Sequence, residues 1–457
     1  MLQRGSKLSA SLEQLAKSPM PLLEDEWFSM GKSLRIAIFD DKYPTSFVTP
    51  RASRHTILRQ RFLPLNLVSS KLEGVTLIEP ALSVDMVHAF NRIPINSSKY
   101  IMSFESHLPR QFALRKRGLM ASYLRSRIAS PNCRRIIALS HFARRSFLAQ
   151  HSDNPEIGLL TEKLLVRHPS IVVPATEDAM SENSAEELVL TFVGANFGRK
   201  GGCVAVKIAE KAIQQKLPIR VNIVSSLQVG GHIWTDPTSP GFFDPYIKLL
   251  ELRNVQHHGV LPNRSVRHLL RNSHFGILAT FGDTFGYSAL ESMSEHTPVL
   301  GTKVCALPEF LEDGVNGIAL PVRLNDIGDW WSPGYDSRGE AKYAEYFRDE
   351  VERLASLAIE RLKPYIGQPA LMEPLRRDAR RTAETMFGLE SADAFLDALY
   401  DRVALESVRE SVQLDPALDV ASPQSLQLKT VRLGSSQFEP GRQECSGQTH
   451  PPTASAA

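Results

Sequence analysis

The strongest constraint on the fold lies in residues 188–214. Leu188-Val-Leu-Thr-Phe-Val-Gly194 is a nearly continuous apolar run that stops at a glycine. A short loop follows, and then Ala205, Ile208, Ala209, Ala212 and Ile213 are interleaved with Lys207, Glu210, Lys211 and Gln214. That is the i, i+3, i+4, i+7 spacing of a half-buried helix. A strand apolar on both faces and followed at once by a helix is the unit of a parallel sheet covered on both sides. The unit recurs along the chain. Before it stand β-rich runs at 34–39, Val75–Ile78, Met86–Ala89, Tyr100–Phe104, Arg135–Leu139 and Ile171–Val173, with helical patterns over 110–128 and 141–151. After it stand Arg220–Val224, Val255–His258, Phe275–Ala279, Val299–Leu300 and Gly317–Pro321, with a long Gly- and Pro-containing loop at 228–246. The expected class is α/β, with two doubly wound domains facing a cleft.

The expected divisions are an N-terminal extension at 1–33, a first domain at 34–176 and a second at 177–408. The acidic stretch Glu177–Glu187 reads as the linker, and the last helix of the second domain is expected to pack back on the first. Residues 409–457, rich in Ser, Gln and Pro without periodicity, read as a disordered tail. No internal repeat is visible. Composition excludes several function classes. Fifty-three Lys and Arg against fifty Asp and Glu leave a formal charge of +3, which argues against a polybasic nucleic-acid binder. The four cysteines, Cys133, Cys203, Cys305 and Cys445, are scattered and form no CxxC pair, so a reducing cytoplasm is expected. No run of about 18 apolar residues reads as a membrane span. The first thirty residues, with Glu24-Asp25-Glu26 among them, read as no secretory signal.

Two stretches carry chemistry. In Phe192-Val-Gly-Ala-Asn-Phe-Gly-Arg-Lys-Gly-Gly202, a strand ends at Gly194 and Arg199-Lys200 stand just before a helix. Glycines permit close backbone approach, and a helix N-terminus with two cations suits a diphosphate. Neither GxGxxG nor GxxxxGK[ST] is present, so a glycine turn with two solvated cations is an equal reading of this stretch alone. In residues 274–317 a buried strand leads to a turn at Gly282-Asp283, and Phe285-Gly286 open a helix that runs to about Glu295. Asp283 and Glu291 lie seven residues apart in between. One carboxylate thus sits in the loop and the other one to two turns up the helix, a pair suited to sugar and ribose hydroxyls.

These residues resemble a family-4 retaining glycosyltransferase with the GT-B fold, whose members carry Glu-x7-Glu, a Pro-Val, a Gly-Gly turn, Pro-Glu and Asp-Gly-x-x-Gly. The matching elements are Asp283-x7-Glu291, Thr297-Pro298-Val299, Cys305-Ala306, Pro308-Glu309 and Asp313-Gly-Val-Asn-Gly317. Gly194 with Lys200-Gly201 resembles the family's phosphate site. Val255-x3-Gly259 resembles the strand and glycine upstream, and Arg135–His141 a late strand of the first domain. The resemblance covers about 190–320. The chain departs from the pattern at Asp283 for Glu, Ala195 for Arg and Cys305-Ala306 for Gly-Gly, and it lacks a Gly-rich loop at Asp40–Thr49.

The resemblance implies transfer of a sugar from a nucleotide-diphosphate sugar to a hydroxyl of a saccharide or lipid-linked saccharide, with retention at the anomeric carbon. It places the diphosphate at Arg199, Lys200 and the amides of Phe285 and Gly286. Nucleotide and sugar fall to Gly194, Glu291, Asp283 and Glu309. No Asp-x-Asp triplet is present, so no metal and no cofactor are expected. The family's N-terminal-domain histidine aligns with Glu105, while His107, two residues on along Tyr100–His107, keeps the same face of an extended strand. His107 is the favoured catalytic candidate, with a surface loop position as the equal alternative. His88 reads first as a core or capping residue, Cys305 as a small residue lining a turn, and Trp330, Trp331 and Tyr335 as loop packing or a sugar platform. A GT-B protein that binds nucleotide sugar without transfer, and a sugar-nucleotide epimerase, are the competing functions. Residues 101–150 hold ten cations against the single acid Glu105, so peripheral contact with an anionic membrane stands beside a merely solvated helix face.

Overall fold

The computed structural model describes residues 33–39, 52–69, 72–79, 84–110, 118–175 and 186–413. The chain divides into two compact units, Met1–Ala404 and Leu405–Ala457. The three sheets and the site belong to the first. The expected extension at 1–32, most of the expected linker and the expected tail from 414 onward lie outside the described residues, as do Arg115, Lys116 and Arg117.

The strands of the first half are β1 (Arg35–Phe39), β2 (Thr56–Gln60), β3 (Phe62–Pro64), β4 (Val75–Ile78), β5 (Met86–Phe90), β6 (Ile93–Pro94), β7 (Tyr100–Phe104), β8 (Cys133–Ala138) and β9 (Leu164–Val166). Six form a sheet in the order β2-β1-β5-β7-β8-β9, parallel throughout. β3, β4 and β6 form a small side sheet. The central strands bury residues of both faces, among them Ile36, Ala37, Val87, Tyr100, Ile101 and Met102, as a sheet covered on two sides requires. Helices α1 (Leu119–Ala129), α2 (His141–Gln150) and α3 (Ile157–Lys163) complete this half.

Three expectations change here. Ile171–Val173 is not a strand; the edge is β9, and Ile171 instead packs into the second core, its amide donating to Phe387 O at 2.9 Å. A short apolar run reads alike whether it pairs in a sheet or plugs a core. β2 carries Arg59 and Gln60 at a sheet edge, where polar side chains hide the strand signal. The helix expected over 110–128 begins, among the described residues, only at Leu119 after Gly118.

In the second half, β10 (Leu188–Val193), β11 (Ile219–Val224), β12 (Val255–Gly259), β13 (Phe275–Leu278), β14 (Val299–Thr302) and β15 (Gly317–Leu320) form a parallel sheet in the order β12-β11-β10-β13-β14-β15. This is the doubly wound order whose direction reverses between the first and fourth strands, here β10 and β13. Its helices are α4 (Gly202–Gln214), α5 (Asp244–Lys248), α6 (Asn263–Arg271), α7 (Tyr287–Ser294), α8 (Ala341–Leu362) and α9 (Pro369–Phe387). Right-handed crossovers put α4 and α8 on one face and α6, α7 and α9 on the other.

The last helix, α10 (Leu389–Gln413), returns to the first sheet. Its Leu396, Leu399, Tyr400 and Val403 pack against Leu34, Ile36, Met86, Ile101 and Ile137. Asp397 accepts from Ser53 Oγ at 2.5 Å and from the Arg54 amide at 2.9 Å. His88 is locked between Tyr400 OH and Ser103 Oγ, both at 2.7 Å. Burial lowers its pKa to about 4, so it is a neutral core residue.

Candidate active site

In an open α/β sheet, ligands bind beyond the carboxyl ends of the strands where the order reverses. Here that point lies between β10 and β13, and the loops leaving those two strands hold both stretches singled out above. The β10 loop climbs from Gly194 and returns through Arg199-Lys200 to α4. At Gly201 φ is +92°, and a side chain would bring its Cβ to 2.3 Å from Ala279 O, so only glycine allows the loop to press on the end of β13. The Lys200 stem lies over Gly194, where an added Cβ would come within 2.6 Å of Lys200 Cδ. Loop and lysine are thereby fixed together.

Lys200 Nζ pairs with Asp283 Oδ2 at 3.0 Å. Burial pushes the Asp283 pKa up, but the Lys200 and Arg199 charges, the Lys200 hydrogen bond and the Phe285 amide outweigh it, so the net shift is down. Glu291, on α7, accepts from Asn263 Nδ2 at 2.9 Å. Burial raises its pKa, opposed by Asn263, Arg267 and Lys200. The ammonium pairs directly with Asp283, while Glu291 feels its charge only weakly and is held by Asn263.

Arg199 is placed differently from the expectation. It is 8% exposed. Its guanidinium donates to Asn196 Oδ1 at 2.8 and 3.2 Å and to Gly282 O at 2.5 Å, and lies 4.5 Å from the Trp234 ring centre. It ties the β10 loop to the Asp283 turn. In sequence a buried and a solvated arginine look alike. The Phe285 ring is fully buried and stacks on Phe310, while Gly286 takes φ +95° at the start of α7.

Glu309 bridges the two halves. Its carboxylate accepts from the His141 and Phe142 amides at 2.9 and 2.8 Å and pairs with His168 Nε2 at 2.9 Å. It caps α2 from across the cleft and clamps the two halves together. Burial works against its ionisation, and His168 with the two amides overcomes it.

On the opposite rim, Glu105 reaches the Thr284 hydroxyl at 3.4 Å. Asn91 holds it at 3.2 and 3.3 Å and Arg110 at 3.5 Å. Its pKa is raised, first by burial, with Arg110 opposing and the Asp283 charge adding to the rise. His107 is half-buried, and burial followed by the Arg110 charge holds it toward the neutral form. Cys305 is buried in a positive-φ turn with its thiol pKa pushed well up, first by burial, and is unreactive on that account. Trp330 is 5% exposed and packs on Phe281 and Tyr346, leaving it no role as a platform. Trp234 and Asp236, which adjoin Arg199, escaped the sequence reading. Their only signal was a tryptophan inside a long Gly- and Pro-containing loop of a compact domain.

Residues 187–329 match the family model described as glycosyl transferases group 1, which spans less than half of the chain. Among solved structures, a glycosyltransferase from Rickettsia africae is similar at a TM-score of 0.51 and 14% identity, over 81% of this chain and 98% of that one. Anabaena HepE in complex with UDP and glucose is similar at a TM-score of 0.49 and 11% identity, over 81% and 100%. WaaG, a glycosyltransferase involved in lipopolysaccharide biosynthesis, is similar at 0.42 and 16%, over 69% and 78%. No curated protein matches the sequence. The fold is GT-B, and residues 187–329 match the glycosyl transferases group 1 model.

Proposed function

We propose that the chain is a retaining glycosyltransferase that moves a sugar from a nucleotide-diphosphate sugar to a hydroxyl of a saccharide or lipid-linked saccharide in the cytoplasm. The observation that carries this reading is the Lys200–Asp283 pair at the point of strand reversal, with Glu291 one helix turn beyond. The bond from the anomeric carbon to the diphosphate breaks, and its electron pair leaves on a phosphate oxygen. The acceptor oxygen bonds to the same face of that carbon, and its proton passes to the departing phosphate. Lys200 and the amides about Phe285-Gly286 offset the growing phosphate charge. Asp283 holds the transferred sugar and Glu291 the ribose, while Glu105 and His107 form the facing rim. The scheme uses no metal or cofactor.

Thermal unfolding with uridine, guanosine and adenosine diphosphate sugars tests the reading. One of them at 100 times its dissociation constant should add about 2.7 kcal/mol of stability. Acceptor-dependent release of nucleoside diphosphate, with the product's anomeric configuration read by NMR, separates transfer from binding alone and from epimerisation. If none of these nucleotide sugars stabilises the chain, the reading fails.

Contact with an anionic membrane belongs to the same proposal. No helix among the described residues is long and apolar enough to cross a membrane. Leu119, Met120 and Tyr123 are exposed at the start of α1, directly after Arg115, Lys116 and Arg117 in the chain. Arg125, Arg127 and Arg145 engage Asp153, Ser97 O and Ile327 O, so the attachment rests on the three preceding cations. Co-sedimentation with anionic vesicles, lost in salt and in the Arg115/Lys116/Arg117→Ala variant, is the expected result.

A further inference from the structure

We propose that Trp234 is a stacking platform for a pyranose ring of the acceptor, seated beside the Asp283 turn; the assignment of that ring to the acceptor rests on the transferase reading above. Trp234 is 44% exposed, while its neighbours Ile233 and Thr235 are buried at 7% and 4%. The loop beneath it is fastened from several sides. Arg338 donates to Ile233 O and Gly231 O, Tyr343 OH donates to Thr235 O at 2.9 Å, and the Gly230 amide donates to Asp236 at 3.0 Å. Gln228 pairs with the β10 loop through its amide to Ala195 O at 2.9 Å and its carbonyl from Phe197 N at 2.8 Å. A ring exposed on so firmly held a loop needs little reordering before a ligand stacks on it.

The indole's position names its ligand. One side lies against the Arg199 guanidinium. Its Nε1 edge abuts the Asp283 turn, for a Cβ on Gly282 would stand 3.1 Å from it. The ring's remaining surface is open to solvent, as its 44% exposure shows. The free indole face is electron-rich and apolar, and the C–H face of a pyranose is apolar and electropositive, which is the match an aromatic ring offers a neutral sugar. A nucleobase is disfavoured by placement. Glu291, assigned to the ribose above, is held by Asn263 on α6, whereas the Trp234 indole abuts Gly282 of the Asp283 turn. Trp234 therefore stands at the end of the proposed donor site given to the transferred sugar, where the acceptor hydroxyl must also arrive.

Two measurements test this. In steady-state kinetics Trp234→Leu should raise the acceptor KM about fivefold with donor KM unchanged, and Trp234→Phe should restore most of it, from the roughly 1 kcal/mol that aromatic stacking contributes. A purely structural loop residue would instead lower thermal stability and shift both KM values. Independently of turnover, the methyl glycosides of glucose, galactose, mannose and N-acetylglucosamine should change tryptophan emission saturably in the unmodified chain and not in Trp234→Phe. No difference with any of the four sugars overturns the proposal, as does a response to nucleotides alone. A Trp234-dependent response to free glycosides in a chain that turns over no nucleotide sugar would sink the transferase reading and leave the platform standing.

Discussion

The two rims of the cleft handle the same functional group in opposite ways. On the second-half rim Asp283 is buried, yet its pKa falls, because Lys200 stands 3.0 Å away and Arg199 behind it. On the first-half rim the Glu105 carboxyl is held by long contacts, 3.3–3.5 Å, and its pKa rises. Asp236, beneath the second-half rim, shows that proximity to Arg199 alone is not decisive. Its pKa is raised to about 7, first by burial, which the Gly230 amide, the Thr235 hydroxyl, Arg199 and Arg338 only partly offset. A directly paired ammonium is what separates the three carboxyls, and environments that push carboxyl pKa values apart assign them different roles.

The largest expected effect is on Asp236. A carboxyl whose folded pKa exceeds its unfolded value keeps its proton longer when folded, so its share of stability is complete at low pH and declines as pH rises. The window runs from the ordinary value of 3.8 to about 7, at up to roughly 1.4 kcal/mol per pH unit. Asp236→Asn keeps an oxygen for the Gly230 amide and carries no charge. It should match the unmodified chain in urea denaturation near pH 4 and exceed it by a few kcal/mol at pH 7. Equal stability at both pH values would mean that Asp236 is ionised in the fold and that the cations beneath the rim outweigh burial after all.

Next is Lys200. Its removal should weaken kcat/KM about 10- to 150-fold, from the roughly 1.5–3 kcal/mol of a charge-assisted hydrogen bond. It should also erase the contrast between the rims, since Asp283 would lose its nearest cation. Lys200→Ala with unchanged turnover, measured by nucleoside diphosphate release, would remove the charge argument from the second-half rim.

Legibility differed between the rims for the same reason. Gly194, Lys200, Asp283 and Glu291 follow directly from apolar strands, so the local pattern of run, glycine and helix locates them without tertiary knowledge. Arg199 was legible as a cation but not as a buried one, because its partners Asn196 and Gly282 O come together only when two loops meet. Glu309 belonged to a recognisable Pro-Glu step, yet its partners lie about 140 to 170 residues away at His141, Phe142 and His168. Glu105 depends on Asn91 and Thr284, from different strands and different halves. No spacing rule connects them. The strand order itself was open, since apolar runs show that strands exist and not which of them are neighbours.

The smallest effect, and the sharpest test of the contrast, is expected at Glu105. Its pKa is raised by burial and by the Asp283 charge against the pull of Arg110. The carboxyl therefore stays protonated above the ordinary glutamate range and ionises as pH rises, adding a second negative charge opposite Asp283. Glutamine copies the protonated form in size and keeps an oxygen and an N–H donor. Glu105→Gln should therefore stay within about threefold of the unmodified chain at the acid end of the profile, a change below roughly 0.7 kcal/mol. It should also lose the limb along which ionisation of Glu105 lowers kcat/KM with rising pH. Glu105→Ala, which leaves the Asn91 and Thr284 donors without a partner, should be worse than glutamine at every pH. A glutamine variant that is severely impaired across the whole pH range would reverse the assignment. The ionised carboxylate would then be the working form, and the two rims would act alike.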